Sequence, residues 1–158
     1  MELGTSLGMD VRALMRPDPI TLAVSDTLDI ADDLMKLGRI RHLPVVDGRR
    51  VVGIVSQRDL LRAAVSCLLG FERAAEQEWL RKIAVATVMT PRVFTVSPST
   101  PLQMAVAIMI DKRVGCLPVV ENGRLVGILT ETDCLSRLCA LLEIDETRKG
   151  LPELAPVG

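Results

Sequence analysis

LPVVDGRRVVGIVSQRD occupies Leu43–Asp59, and LPVVENGRLVGILTETD occupies Leu117–Asp133. The offset is 74 residues, and at that offset Val11–Leu61 lies on Val85–Leu135 without a gap, 19 of 51 positions being identical. Outside the quoted runs the matches include Met15/Met89, Pro17/Pro91, Thr21/Thr95, Leu28/Leu102, Met35/Met109 and Arg39/Arg113. Chance rarely reaches that density without gaps, so the chain is a tandem duplication.

Each copy reads in one order. Val11–Met15 predicts a short helical lead that Pro17 stops. Ile20-Thr21-Leu22 predicts a short strand. Leu28, Ala31, Leu34 and Met35 recur at helical spacing, which predicts an amphipathic helix over Thr27–Leu37 ended by Gly38. In the second copy Thr100 and Pro101 supply an N-cap and a first-turn proline. Leu43–Val46 and Val51–Val55 predict a hairpin turning at Asp47-Gly48, and its counterpart turns one position later at Asn122-Gly123. A helix follows from Gln57. Each unit is therefore β-α-β-β-α, an α/β (α+β) arrangement. The expected divisions are a first unit over 11–69, a linker helix over 70–84, a second unit over 85–142 and a loose tail over 143–158 with Pro152 and Pro156.

Composition bounds what such a chain can do. Apolar residues make up 49% with a mean hydropathy of +0.34, enough for a real core, while aromatics reach only 2%. Val, Ile, Leu, Met and Ala must fill that core. Charge is balanced, 19 basic against 20 acidic residues. That excludes the broad basic stripe of a nucleic-acid binder, and stacking platforms for single strands are missing. Cys67, Cys116, Cys134 and Cys139 form no C-x-x-C pair, and one histidine is too few for an ordinary zinc site. No metal site, signal pattern or membrane span is predicted, and the expected location is the cytoplasm. Asp26, Asp29, Asp32 and Asp33 read as a solvated helix face. The matching stretch of the second copy, Ala105-Val106-Ala107, is apolar, so the second helix has more to bury. Phe71 and Trp79 mark the linker as an interface or core helix.

Ser56-Gln-Arg-Asp59 and Thr130-Glu-Thr-Asp133 are the strongest chemical candidates, each where a strand turns into a helix. Two readings stay open. The hydroxyl and the acid three residues on can form a capping box. The same hydroxyl and helix N-terminus can meet a phosphate, with the carboxylate accepting ribose hydroxyls.

The order of LPVV, hairpin and G-I-[VL]-[ST]-x-x-D leading into a helix resembles the CBS domain, named after cystathionine β-synthase. The resemblance covers both units and the linker helix. It implies two units packed sheet to sheet around a pseudo-twofold, a Bateman module, standing alone here and often dimerising into a flat disc. It implies an adenosine ligand (AMP, ADP, ATP or S-adenosylmethionine), with Mg²⁺ left open and no other cofactor, bound in clefts between the units to regulate a protein partner. Carried over, one site combines Ile20, Thr21, Ile40, Arg41 and His42 with Ile128, Thr130 and Asp133. The other combines Phe94, Thr95, Val114, Gly115 and Cys116 with Ile54, Ser56, Arg58 and Asp59.

Arg41 and His42 face Gly115 and Cys116 across the repeat, so the sites are unequal. Arginine suits phosphate, and the sequence places the phosphate-rich ligand at the Arg41/Asp133 site. The alternative is a ligand-free dimerisation module that relies on Val106, Met109 and the Trp79 helix. An enzyme is not expected: no nucleophile elbow, P-loop, dinucleotide fingerprint or Cys-His context accompanies His42.

Overall fold

The computed structural model describes residues 8–65 and 73–142. Cys67, Phe71 and the tail over 143–158 lie outside the described residues. After a 3₁₀ turn at Val11–Ala13 come β1 (Arg16–Pro17), β2 (Leu22–Ala23), α1 (Leu28–Gly38), β3 (His42–Asp47), β4 (Arg50–Ser56) and α2 (Gln57–Val65). Then follow α3 (Arg73–Leu80), α4 (Val85–Val88), α5 (Leu102–Lys112), β5 (Cys116–Glu121), β6 (Arg124–Thr130) and α6 (Glu131–Leu141). The predicted first strand shrinks to two residues in the first unit and to a single bridge, Val96 to Val119, in the second.

Neither half completes its own packing. The sheets run β2-β3-β4 and β1-β6-β5, so β1 of the first unit pairs with β6 of the second. Reciprocally, Thr90 exchanges two backbone hydrogen bonds with Ile54 of β4, at 2.8 and 3.1 Å. The cores follow the same exchange. Val11, Leu14 and Met15 pack with Val96, Ala105, Met109, Leu117, Val119 and Leu129 of the second unit. Val85, Val88 and Met89 pack with Leu22, Leu28, Leu43, Val45 and Val55 of the first. The lead segments thus stabilise the opposite half by removing apolar surface from water there.

The V-G-I run explains why the exchange closes tightly. Gly53 on β4 lies under the Met89 side chain, and a Cβ at Gly127 on β6 would sit 2.8 Å from Met15 Sδ and 3.0 Å from the Arg16 carbonyl oxygen. Glycine is required because the lead segment of the other repeat crosses the strand at that point. The two hairpins also meet directly, the Leu125 amide donating to the Arg49 carbonyl at 3.0 Å.

Several local expectations are corrected. Both hairpin loops occupy the same place, Gly48-Arg49 and Asn122-Gly123. Only the glycine moves: Gly48 takes positive φ at the first loop position, whereas Asn122 and Gly123 both take it in the second unit. Gly38 is not the cap of α1 but its last helical residue, and Arg39 adopts the left-handed cap at φ 50, as Arg113 does at φ 54. Pro101 rather than Thr100 precedes α5, and the Thr100 hydroxyl instead accepts from the Ser97 amide at 3.0 Å. Met109 is core at 5% exposure, not a surface-face residue. The linker helix does pack, but through Leu80; Trp79 stays 43% exposed and is no core residue.

Candidate functional site

Both S/T-x-x-D motifs form the capping box. The Asp59 Oδ2 accepts from the Ser56 amide and hydroxyl at 2.8 and 2.6 Å, and the Asp59 amide reaches Ser56 Oγ at 3.3 Å. Thr130 and Asp133 repeat this at 2.9, 2.6 and 3.3 Å. A box occupies one carboxylate oxygen only. The capping and ligand readings therefore do not compete, and the question passes to the second oxygen.

There the halves part. Asp133 Oδ1 accepts from Arg16 Nε at 2.7 Å, and the Asp133 side chain is 9% exposed. Arg16 corresponds to Thr90, which cannot form that ion pair, and Asp59 Oδ1 accepts nothing from the described residues. Beside Asp59 lies a cleft of about 500 Å³, within the range of ordinary small-molecule sites.

Most residues proposed for the Asp59 site line this cleft together: Ile54, Ser56, Arg58, Phe94, Val114, Gly115 and Cys116. Thr95 does not; it is exposed elsewhere. Phe94 is 46% exposed, with the Lys112 ammonium 5.8 Å from its ring centre.

The Arg41 and His42 assignment is corrected. Both line the Asp59 cleft, not one containing Asp133. The cause is hairpin register. A bulge between Val45 and Val46 places His42 directly opposite Ser56, so the residues before LPVV stand beside their own unit's capping hydroxyl. The imidazole then fills space across the pseudo-twofold, where a Cβ on Gly115 would lie 3.1 Å from His42 Cε1. Gly115 is thus the complement of His42, which gives the asymmetry of the repeat a steric reason.

The other proposed residues are dispersed. Ile20 and Ile40 meet at Gly38, each 3.3 Å from the position of its missing Cβ. Thr21 faces a separate hollow between the hairpin loops, with Gly48, Arg49 and Asn122. Ile128 pairs with Arg16 under β1 and is 7% exposed, whereas its counterpart Ile54 opens onto the cleft.

Sequence reasoning missed three arginines. Arg62, Arg92 and Arg113 join Arg41 and Arg58 on the cleft, five guanidiniums against the carboxylates of Asp59 and Glu131. At the offset of 74, Arg58, Arg62 and Arg92 correspond to Thr132, Ser136 and Asp18. Comparing charge position by position around Phe94 and Val114 was the signal that could have found them.

Burial pushes the His42 pKa below its usual 6.5; Arg41 and Arg58 add to this, while Glu131 and Asp59 oppose it. The unfolded chain therefore binds that proton more readily, and stability rises with pH between the lowered value and 6.5. It is fully present above this window and lost as pH falls through it. The urea midpoint is expected to drop between about pH 7.5 and about pH 5.5, and His42→Asn to flatten the profile. Equal profiles for both proteins would assign the loss to carboxylates. The Cys116 thiol, 4% exposed, is pushed up to about 12 by burial and by Glu131.

Among the described residues no helix is long and apolar enough to cross a membrane, and no cluster of metal-binding side chains occurs. Comparison with known proteins gives one family. The CBS domain matches residues 11–66 and 85–140. A CBS domain-containing protein of Dictyostelium discoideum is 34% identical over 135 residues, 84% of this chain and 93% of that one. Inosine-5′-monophosphate dehydrogenase of Korarchaeum cryptofilum is 36% identical over 76% of this chain, which spans only 22% of that enzyme. Among solved structures, a candidate acetoin utilization protein (AcuB) from Vibrio cholerae superposes with a TM-score of 0.76 at 37% identity, covering 89% of this chain and 99% of that one. CBSX2 in complex with AMP gives 0.71 at 27% identity, covering 85% and 99%. A CBS domain pair in complex with 5′-methylthioadenosine and S-adenosyl-L-methionine gives 0.69 at 26%, covering 82% and 98%. The repeat, the exchanged sheets and these matches agree: the chain belongs to the CBS domain family and carries two CBS domains in tandem.

Proposed function

We propose that the protein is a regulatory module that binds a phosphate-bearing adenosine ligand in the Asp59 cleft. One observation carries the reading: an open carboxylate oxygen beside five arginines and the apolar Ile54, Val114 and Phe94. Asp59 Oδ1 would accept from a ribose hydroxyl, the apolar residues would flank the base, and the arginines would hold the phosphates. This moves the phosphate-rich ligand from the Asp133 site to the Asp59 site. Solved relatives that hold AMP or S-adenosylmethionine support an adenosine ligand. Arg41, Arg58, Arg92 and Arg113 on the cleft favour ATP, ADP and AMP over S-adenosylmethionine, whose sulfonium is cationic.

Binding between two halves that exchange their leads would favour one arrangement of the pair, a population shift passed to a protein partner. The reading includes the cytoplasm, where nucleotides are abundant and free thiols such as Cys116, Cys134 and Cys139 persist. It also includes self-association, supported by exposed Ile110, Leu135, Leu138 and Leu142; light scattering at the monomer mass would argue against that part.

His42 and Cys116 share the cleft, which invites an enzymatic reading. A thiol with a pKa near 12 is protonated at neutral pH and is no nucleophile. Binding without turnover is the function we assign. The test is a thermal shift against ATP, ADP, AMP and S-adenosylmethionine. Ligand at a hundredfold its Kd stabilises by about 2.7 kcal/mol, or roughly 5–10 °C for a chain of this size. No shift with any of the four would end the reading.

A further inference from the structure

Arg16 and Thr90 hold the same place in the two copies. Thr90 lines the open cleft. Arg16 instead crosses to Asp133, its Nε 2.7 Å from Oδ1. The other Asp133 oxygen is already held by Thr130, so both oxygens of the carboxylate that a ribose would need are engaged. The apolar wall differs as well: Ile128, paired with Arg16, is 7% exposed, whereas Ile54, paired with Thr90, lines its cleft. A guanidinium stays charged at any working pH, so the partner is present wherever the carboxylate is ionised.

We propose that Arg16 closes the Asp133 site from within and limits each chain to one bound nucleotide. This rests on the nucleotide reading above. Arg16 acts as an internal substitute for the ligand: its N–H occupies the acceptor that a ribose hydroxyl would use. The lead segment that completes the second sheet thereby also determines how many ligands the module takes.

Equilibrium dialysis with ATP, scored per chain, tests this. The wild-type protein takes up one equivalent. Arg16→Thr copies the open half and takes up two, and adding Asp133→Ala to it returns uptake to one. Arg16→Lys keeps a cation at the position and stays at one. Should Arg16→Thr fail to fold, Arg16→Ala, which leaves no side-chain donor, serves in its place with the same expectation of two. Two equivalents on the wild-type chain, or one on a folded Arg16→Thr, would overturn the proposal while leaving the nucleotide reading intact. ATP uptake by neither protein overturns the nucleotide reading, and this one with it.

Discussion

Asp59→Ala is expected to lower affinity for ATP by about 10- to 100-fold, while Asp133→Ala leaves it unchanged. The magnitude follows from one lost hydrogen bond to a charged acceptor, about 1.5–3 kcal/mol, with about 1.4 kcal/mol per decade of affinity. Both substitutions remove the same capping box, since each carboxylate accepts from the amide and hydroxyl three residues earlier. Each therefore costs about 0.5–2 kcal/mol of stability. Asp133→Ala also breaks the Arg16 ion pair, so it should lose at least as much stability as Asp59→Ala while losing no binding. Isothermal titration beside a urea melt reads both quantities. Equal affinities in the two variants would remove the ribose role from Asp59.

Gly127→Val is expected to produce the largest loss of stability. Its first added carbon would meet Met15 Sδ at 2.8 Å and the Arg16 carbonyl at 3.0 Å. The methionine can turn aside, but the carbonyl belongs to β1 and moves only if the strand does. Overpacking costs about 1–3 kcal/mol and more where backbone shifts, so about 3 kcal/mol is expected here. The melting point should fall by roughly 6–12 °C. Met15→Ala in the same chain should recover part of this, because the clash has two members; strict additivity would contradict the packing described. At Gly53 the three nearest atoms all belong to the Met89 side chain, so Gly53→Ala should be milder.

Much of the architecture was legible. The period of 74, the hairpins and the capping boxes follow from local residue types and from comparing the copies. The exchange of lead segments was not legible, for a reason inherent in repeats. Met15 and Met89 are identical, as are Gly53 and Gly127. Nothing in the letters says whether a methionine crosses the glycine of its own half or the other. The site suffered from a smaller slip. Placing the first turn at Asp47-Gly48 instead of Gly48-Arg49 obscured the register that sets His42 opposite Ser56. That register is what brings Arg41 to the Asp59 cleft. Arg92 and Arg113 escaped notice because they flank the expected contact residues and match no motif.

The crossing of Val11–Met15 and Val85–Met89 into opposite cores has a thermodynamic corollary. Neither sequence repeat is an autonomous folding unit, since each lacks the residues that seal it. The module should therefore melt in one cooperative transition rather than two, and the separated halves should regain structure only when mixed, by fragment complementation. Any strain imposed at one cleft is shared by both cores from the outset.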